Sequence, residues 1–364
     1  MLSSSFLVQT CESKIGDTRR VPFPPLSDSR LAPFEAGDPF GLRKAILPVF
    51  ERTPNGQLIG MGTAVHLDGW GGCLTAGHVV DFLRTRLPEM VLNGEPRKEV
   101  DPSQHSHPVL LLGIGVVFGA IEIPDWAFAP IIDTLTSVRE RDDPMAALQG
   151  RRRFEMAQDI ASLQALFHAD AYQEQNLPQV LPLQLRGWQP VIGEYVLAFG
   201  YPELKPASTL DDSEIQAIIE DGLYCAYGRI TRLFPEGRDS TNPTPVFEVE
   251  ANWPSGMSGG PVVNEQGNVI GIVSRSLAPD GQLSGAGYAV CLPWISEVSR
   301  LAAHLDKDNP GHRLGFAVLD DQEKLVGVWP TLGLANDYAA QGAKRRVFAC
   351  SHRIGTDEYI CIEK

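Results

Sequence analysis

From Lys44 onward the apolar residues come in short runs, each closed off within a few positions by Gly, Asn, Asp or Pro. Runs at 45–49, 61–67, 72–76, 109–119 and 126–132 form one block. A second block has runs at 195–199, 223–233, 246–251, 261–263, 269–274 and 288–292. Runs of this length, spaced by turn residues, are the pattern of an all-β sandwich or barrel. Each block is long enough for a six-stranded antiparallel β-barrel, so the fold class expected is all-β with two such barrels.

Between the blocks the texture changes. Met156, Ile160, Leu163 and Phe167 recur at helical spacing among Arg, Glu, Asp and Gln, which predicts an amphipathic helix. The expected organisation is an N-terminal extension (1–41), a first barrel (42–133), a helical insert (134–180), a second barrel (181–300) and a C-terminal extension (301–364). A helix is expected after Trp294, to about Leu305, followed by mixed short segments. Residues 206–221 form an acidic interruption of the second block, with room for one short helix.

Composition removes several function classes. The net charge of −14 comes without a basic stripe, which argues against a nucleic-acid partner. The six cysteines (Cys11, Cys73, Cys225, Cys291, Cys350 and Cys361) include no C-x-x-C pair, so zinc and dithiol motifs are not expected. His105 and His107 lack further ligands nearby, and neither metal nor cofactor is expected. The N-terminal residues lack a basic, apolar leader, and no apolar stretch approaches the length of a membrane span. These readings point to a cytoplasmic protein.

Three segments carry the chemistry. Gly256-Met257-Ser258-Gly259-Gly260-Pro261 presents a serine among glycines, where little but backbone can crowd it. Thr75-Ala76-Gly77-His78 sets a histidine at the end of a strand-like run, after small residues. Pro124-Asp125-Trp126-Ala127 sends an aspartate into an apolar strand, where a buried carboxylate needs a partner. Ser258, His78 and Asp125 have the chemistry of a nucleophile, its base and the base's orienter. Asp133, at the far end of the same strand, is the rival to Asp125. The serine segment also matches the G-x-S-x-G elbow, which requires a strand before the serine and a helix after it. Here a turn at 264–268 and a second strand follow Pro261, so that reading fails.

With these residues the chain resembles the trypsin-like (chymotrypsin-fold) serine peptidases, particularly bacterial members without disulfides. Thr-Ala-Gly-His-Val is similar to the family's histidine motif, Asp-Trp-Ala to its aspartate motif and Gly-Met-Ser-Gly-Gly-Pro-Val to its serine motif. The segment 193–202 resembles the strand opening the family's second barrel. The resemblance implies an endopeptidase working through an acyl-enzyme on Ser258, with His78 as base and Asp125 as orienter. It implies an oxyanion hole made by the N–H groups of Gly256 and Ser258. It also implies a substrate strand along 271–274, ending at Ser274, and a specificity pocket with Asn252 at its base and Ser276 and Gly287 on its walls. None of these pocket residues is charged, so a small or medium uncharged P1 side chain is expected.

Met257 stands where zymogen-activated members carry an aspartate, so control by N-terminal trimming is not expected. The insert or the C-terminal extension is expected to dock an activating protein partner. A protein or peptide substrate is expected as well, and neither nucleic acid nor a membrane is indicated. The alternative at the level of function is a pseudoprotease or peptide-binding scaffold of the same fold.

Overall fold

The computed structural model describes residues 9–10, 34–37, 42–81, 106–112, 125–141, 144–150, 153–168, 171, 180–181, 183–184, 188–202, 223–239, 244–277, 285–295, 306, 308–309, 312–342, 344–353 and 357–362. Two short strands, β1 (Gln9–Thr10) and β2 (Phe34–Gly37), belong to the N-terminal extension. Six strands follow: β3 (Ile46–Arg52), β4 (Leu58–His66), β5 (Gly72–Thr75), β6 (His107–Leu111), β7 (Phe128–Arg141) and β8 (Arg153–Ala165). They close into a barrel in the order β3-β4-β5-β8-β7-β6, with β6 pairing back onto β3.

The next six are β9 (Tyr195–Gly200), β10 (Tyr224–Phe234), β11 (Val246–Glu250), β12 (Pro261–Val263), β13 (Val269–Leu277) and β14 (Ala286–Cys291). Their order is β9-β10-β11-β14-β13-β12, and β12 returns to β9. The second barrel therefore repeats the strand order of the first. The two six-stranded antiparallel barrels expected from the short apolar runs are present.

The described residues of the region 134–180 do not form the expected helical insert but are mostly strand. Residues 134–141 continue β7, and residues 153–165 form β8 of the first barrel. The apolar positions read as helical also fit a strand: Ala161, Leu163 and Ala165 are buried, while Ser162 and Gln164 between them are only partly covered. Beyond its pairing with β5, β8 has β7 as its described strand partner, from Val138↔Met156 to Arg141↔Arg153. Among the described residues, the helix in this region is one short turn, Pro144–Leu148, between the two strands.

The main hydrophobic core does not stop at the barrel wall. It links Leu47, Val49, Ala64, Leu74 and Leu163 of the first barrel to Leu197, Phe199, Val263 and Ile272 of the second. A separate cluster fills the second barrel with Val196, Ala198, Phe247, Val249, Met257, Val262, Ile270 and Ala289. At the seam, the buried Tyr201 donates its hydroxyl to the Ile46 carbonyl at 2.8 Å.

The C-terminal extension is more regular than its sequence suggests. Strands β15 (His312–Leu319), β16 (Leu325–Trp329), β17 (Arg346–Arg353) and β18 (Tyr359–Cys361) form an antiparallel sheet in the order β16-β15-β17-β18. The helix Leu332–Ala339 packs on one face through Ala335 and Tyr338, against Val318 and Trp329. The other face receives Trp70, from the turn between β4 and β5, into a cluster with Ala317, Val328 and Cys350. The expected helix to Leu305 and the interruption at 206–221 lie outside the described residues.

Candidate active site

His78 stands on a single helical turn, Gly77–Val80, immediately after β5. β5 pairs with β8, with Thr75 opposite Ala161. Between Thr136↔Ala161 and Val138↔Met156 the β7–β8 ladder slips, leaving β8 residues 157–160 facing only position 137. A bulge of this kind bends the strand and re-aims its side chains. Asp159 lies within it. Its backbone N–H leaves the ladder and donates to the Thr244 hydroxyl at 2.7 Å, on the second-barrel side of the seam.

The Asp159 carboxylate meets the His78 ring: Nδ1 lies 3.0 Å from both Oδ1 and Oδ2. The His78 backbone N–H also donates to Oδ1 at 3.0 Å. A third donor is the Ser274 hydroxyl, bonded to Oδ2. Gly77 makes this approach possible, because a Cβ there would lie 2.5 Å from the Met156 sulfur and 3.3 Å from Asp159 Oδ1.

Burial opposes the charge on Asp159, but the hydrogen bonds from the His78 ring, Ser274 and the His78 amide hold its carboxyl below the ordinary value of 3.8. A carboxylate whose folded value lies below its unfolded value stabilises the fold above the unfolded value. That contribution is lost as the pH falls through the folded one. The stability deficit of Asp159→Asn at neutral pH is therefore expected to shrink once the pH drops below about 4. Urea unfolding of both proteins at neutral and acid pH checks this.

The serine sits in a loop fixed from both barrels. Pro254 to Met257 is a turn closed by Met257 N–H to Pro254 O at 3.2 Å, with Gly256 at φ +91°. A positive φ at that third position is the type II arrangement, which favours glycine. Thr63 of β4 ties the loop down. Its N–H donates to Ser258 O and its hydroxyl to Gly256 O, both at 2.8 Å, while that hydroxyl accepts from Tyr201 N–H at 3.0 Å. Gly259 has φ +86°, and a Cβ there would overlap the Thr63 carbonyl and the Thr75 hydroxyl.

The amides of Met257, Gly259 and Gly260 are hydrogen-bonded within the chain. Among the described residues the amides of Gly256 and Ser258 have no such acceptor. The Ser258 hydroxyl is 3.5 Å from the Ser274 carbonyl. Ser258, Ser274, Asp159 and His78 thus form one connected group across the seam.

The family model described as a trypsin-like peptidase domain matches residues 60–272, more than half of the chain. The chain belongs to the trypsin-like peptidase family. The trypsin-like serine peptidase fold is thereby shown, and its matched span contains His78, Asp159 and Ser258. Among solved structures, an inactive serine-to-alanine mutant of Rv3671c from M. tuberculosis H37Rv is similar over 72% of this chain and 88% of its own. The identity is 14% and the TM-score 0.37. No curated protein sequence matches the chain. Among the described residues, no helix of this trypsin-like chain is long and apolar enough to cross a membrane.

The carboxylate beside His78 is that of Asp159, not the expected Asp125. Asp125 opens a single 3-10 turn before β7. Along β7, Phe128 marks that end and Thr136 the level of Ala161 and Thr75, roughly 26 Å of strand apart at the usual rise. Nor does β7 adjoin β5, because β8 lies between them. Asp133 faces Gln164, further from the His78 level than Thr136. The criterion applied to Asp125, a carboxylate entering an apolar strand, fits Asp159-Ile160-Ala161 as well. The helical reading of that segment concealed it.

Ser274, expected at the end of the substrate strand, belongs to the histidine cluster through its hydroxyl bond to Asp159. The expected walls of the specificity pocket, Ser276 and Gly287, are opposite each other on β13 and β14. Both are met by Trp253, the neighbour of Asn252. The Trp253 N–H donates to Ser276 Oγ at 3.3 Å, and its buried indole would touch a Cβ on Gly287 at 2.6 Å.

Proposed function

We propose that the protein is a serine endopeptidase in which Ser258 attacks the scissile carbonyl and His78 shuttles the proton. Asp159 holds the ring tautomer and stabilises the imidazolium. The observation that carries this reading is the His78–Asp159 contact, linked through Ser274 to the Ser258 loop. The serine hydroxyl gives its proton to His78 as the tetrahedral intermediate forms, and the ring returns it to the leaving amine. Collapse leaves an acyl-enzyme, which water clears by the same route. The amides of Gly256 and Ser258, which have no acceptor among the described residues, supply the oxyanion hole.

A fluorophosphonate probe is expected to label wild-type protein at Ser258 and to leave Ser258→Ala unmodified, as read by intact mass. A folded wild type that stays unlabelled overturns the reading.

The position of Trp253 supports a preference for small uncharged side chains at P1, since its buried indole lies against Gly287, one of the expected pocket walls. Trimming it to Trp253→Leu is expected to raise kcat/KM for Leu at P1 relative to Ala by about tenfold or more, the usual scale of discrimination by pocket volume. Cleavage of paired peptides differing only at P1 measures it.

A further inference from the structure

Cys350 on β17 and Cys361 on β18 are direct partners in the antiparallel register. The neighbouring pair, Ala349 and Ile362, is the hydrogen-bonded one: Ile362 N–H donates to Ala349 O at 2.9 Å. Hydrogen-bonded and non-hydrogen-bonded pairs alternate along an antiparallel ladder. Cys350 and Cys361 therefore form a non-hydrogen-bonded pair. Such pairs hold their Cα atoms about 4.5 Å apart with side chains on one face, inside the usual span for a disulfide. The two thiols differ in setting. Cys350 is fully buried in the cluster around Trp70, and burial pushes its thiol up to about 11. Cys361 is exposed on the edge strand, which has β17 as its only described partner in the sheet.

We propose that Cys350 and Cys361 are a redox site, closing to a cross-strand disulfide when a low-molecular-weight disulfide is present. The exposed Cys361 thiolate attacks one sulfur of the small disulfide, expelling a thiolate and leaving a mixed disulfide on Cys361. The Cys350 thiol loses its proton to water and attacks the Cys361 sulfur. That expels the second small thiolate and forms the S–S bond. Two protein thiols are oxidised and one small disulfide is reduced to two thiols. The buried, proton-retaining Cys350 makes the second step the slower one.

Closure staples β18 to the strand that packs on Trp70, so the same bond fixes the edge of the sheet docked on the first barrel. The remaining described cysteines, Cys73, Cys225 and Cys291, are each buried in the barrels and have no cysteine opposite them in the strand register.

The test treats the folded full chain with oxidised glutathione and reads intact mass and non-reducing peptide maps. The expected product is a chain lighter by two hydrogens, with the peptides bearing Cys350 and Cys361 linked. Its melting temperature is raised by a few degrees and returned to the starting value by dithiothreitol. Cys350→Ser is expected to stop at a chain heavier by one glutathione on Cys361, and Cys361→Ser to stay unmodified at Cys350. Cys350→Ala serves where the serine disturbs the buried site. The proposal is overturned if wild type accumulates only the glutathione adduct, links through Cys361 to a second chain, or remains unmodified.

Discussion

Asp159→Asn is expected to lower kcat by about 10⁴-fold while the protein stays folded, with Asp125→Asn close to wild type. Asparagine keeps the shape of the side chain, but its one carbonyl replaces only one of the two oxygens that accept separately from the His78 amide and the Ser274 hydroxyl. It cannot offer His78 Nδ1 two acceptor oxygens, as the carboxylate does at 3.0 Å each. An amide N–H facing Nδ1 favours the tautomer with its proton on Nε2, the nitrogen required to accept one from Ser258. It also removes the negative charge that stabilises the imidazolium. Steady-state turnover of a peptide ester, with melting curves for both variants, checks the pair. A large loss in Asp125→Asn with near-normal Asp159→Asn would return the role to Asp125.

The second large effect is on stability. Trp70→Ala is expected to cost about 3–5 kcal/mol, the range for truncating a large buried aromatic. The Trp70 side chain carries several contacts between the first barrel and the C-terminal sheet at once. It is buried, donates Nε1–H to the Leu314 carbonyl at 3.1 Å, and lies against Gly315, where a Cβ would come within 2.6 Å. The Arg313 guanidinium sits 3.9 Å from its ring centroid and also bonds the Gly69 carbonyl. Arg313 is fully buried, so losing the ring leaves a charge without its aromatic neighbour as well as a cavity. Calorimetry is expected to resolve two transitions in the variant, the C-terminal sheet melting before the barrels. A single unshifted transition would show that Trp70 does not hold the sheet.

The barrels were legible because strands buried on both faces, as β3, β5 and β9 are, appear as short continuous apolar runs closed by turn residues. The serine and histidine segments stood out because both need small residues around a reactive side chain. Asp159 was not legible for a physical reason. Met156, Ile160, Leu163 and Phe167 satisfy a helical period, while Ala161, Leu163 and Ala165 satisfy a strand period, and local spacing cannot choose between them. Pairing with β5 decides it, and that contact is remote in sequence. The bulge that turns Asp159 toward His78 is likewise a property of two strands rather than one. Chain spacing points to Asn252 but does not show that the side chain turned toward Gly287 is that of its neighbour Trp253.

The Thr63 hydroxyl, accepting from one barrel's strand end and donating to the serine loop, would make the proposed catalysis a gauge of how two closed shells are seated. Each barrel has a complete ring of hydrogen-bonded strands and loses none of them if the shells part slightly. His78 and Asp159 would leave with one shell, and Ser258 and Ser274 with the other. Mild denaturant or heat should therefore silence such a protein while circular dichroism still reports intact strands, and gentle dilution should restore turnover without any refolding of the barrels.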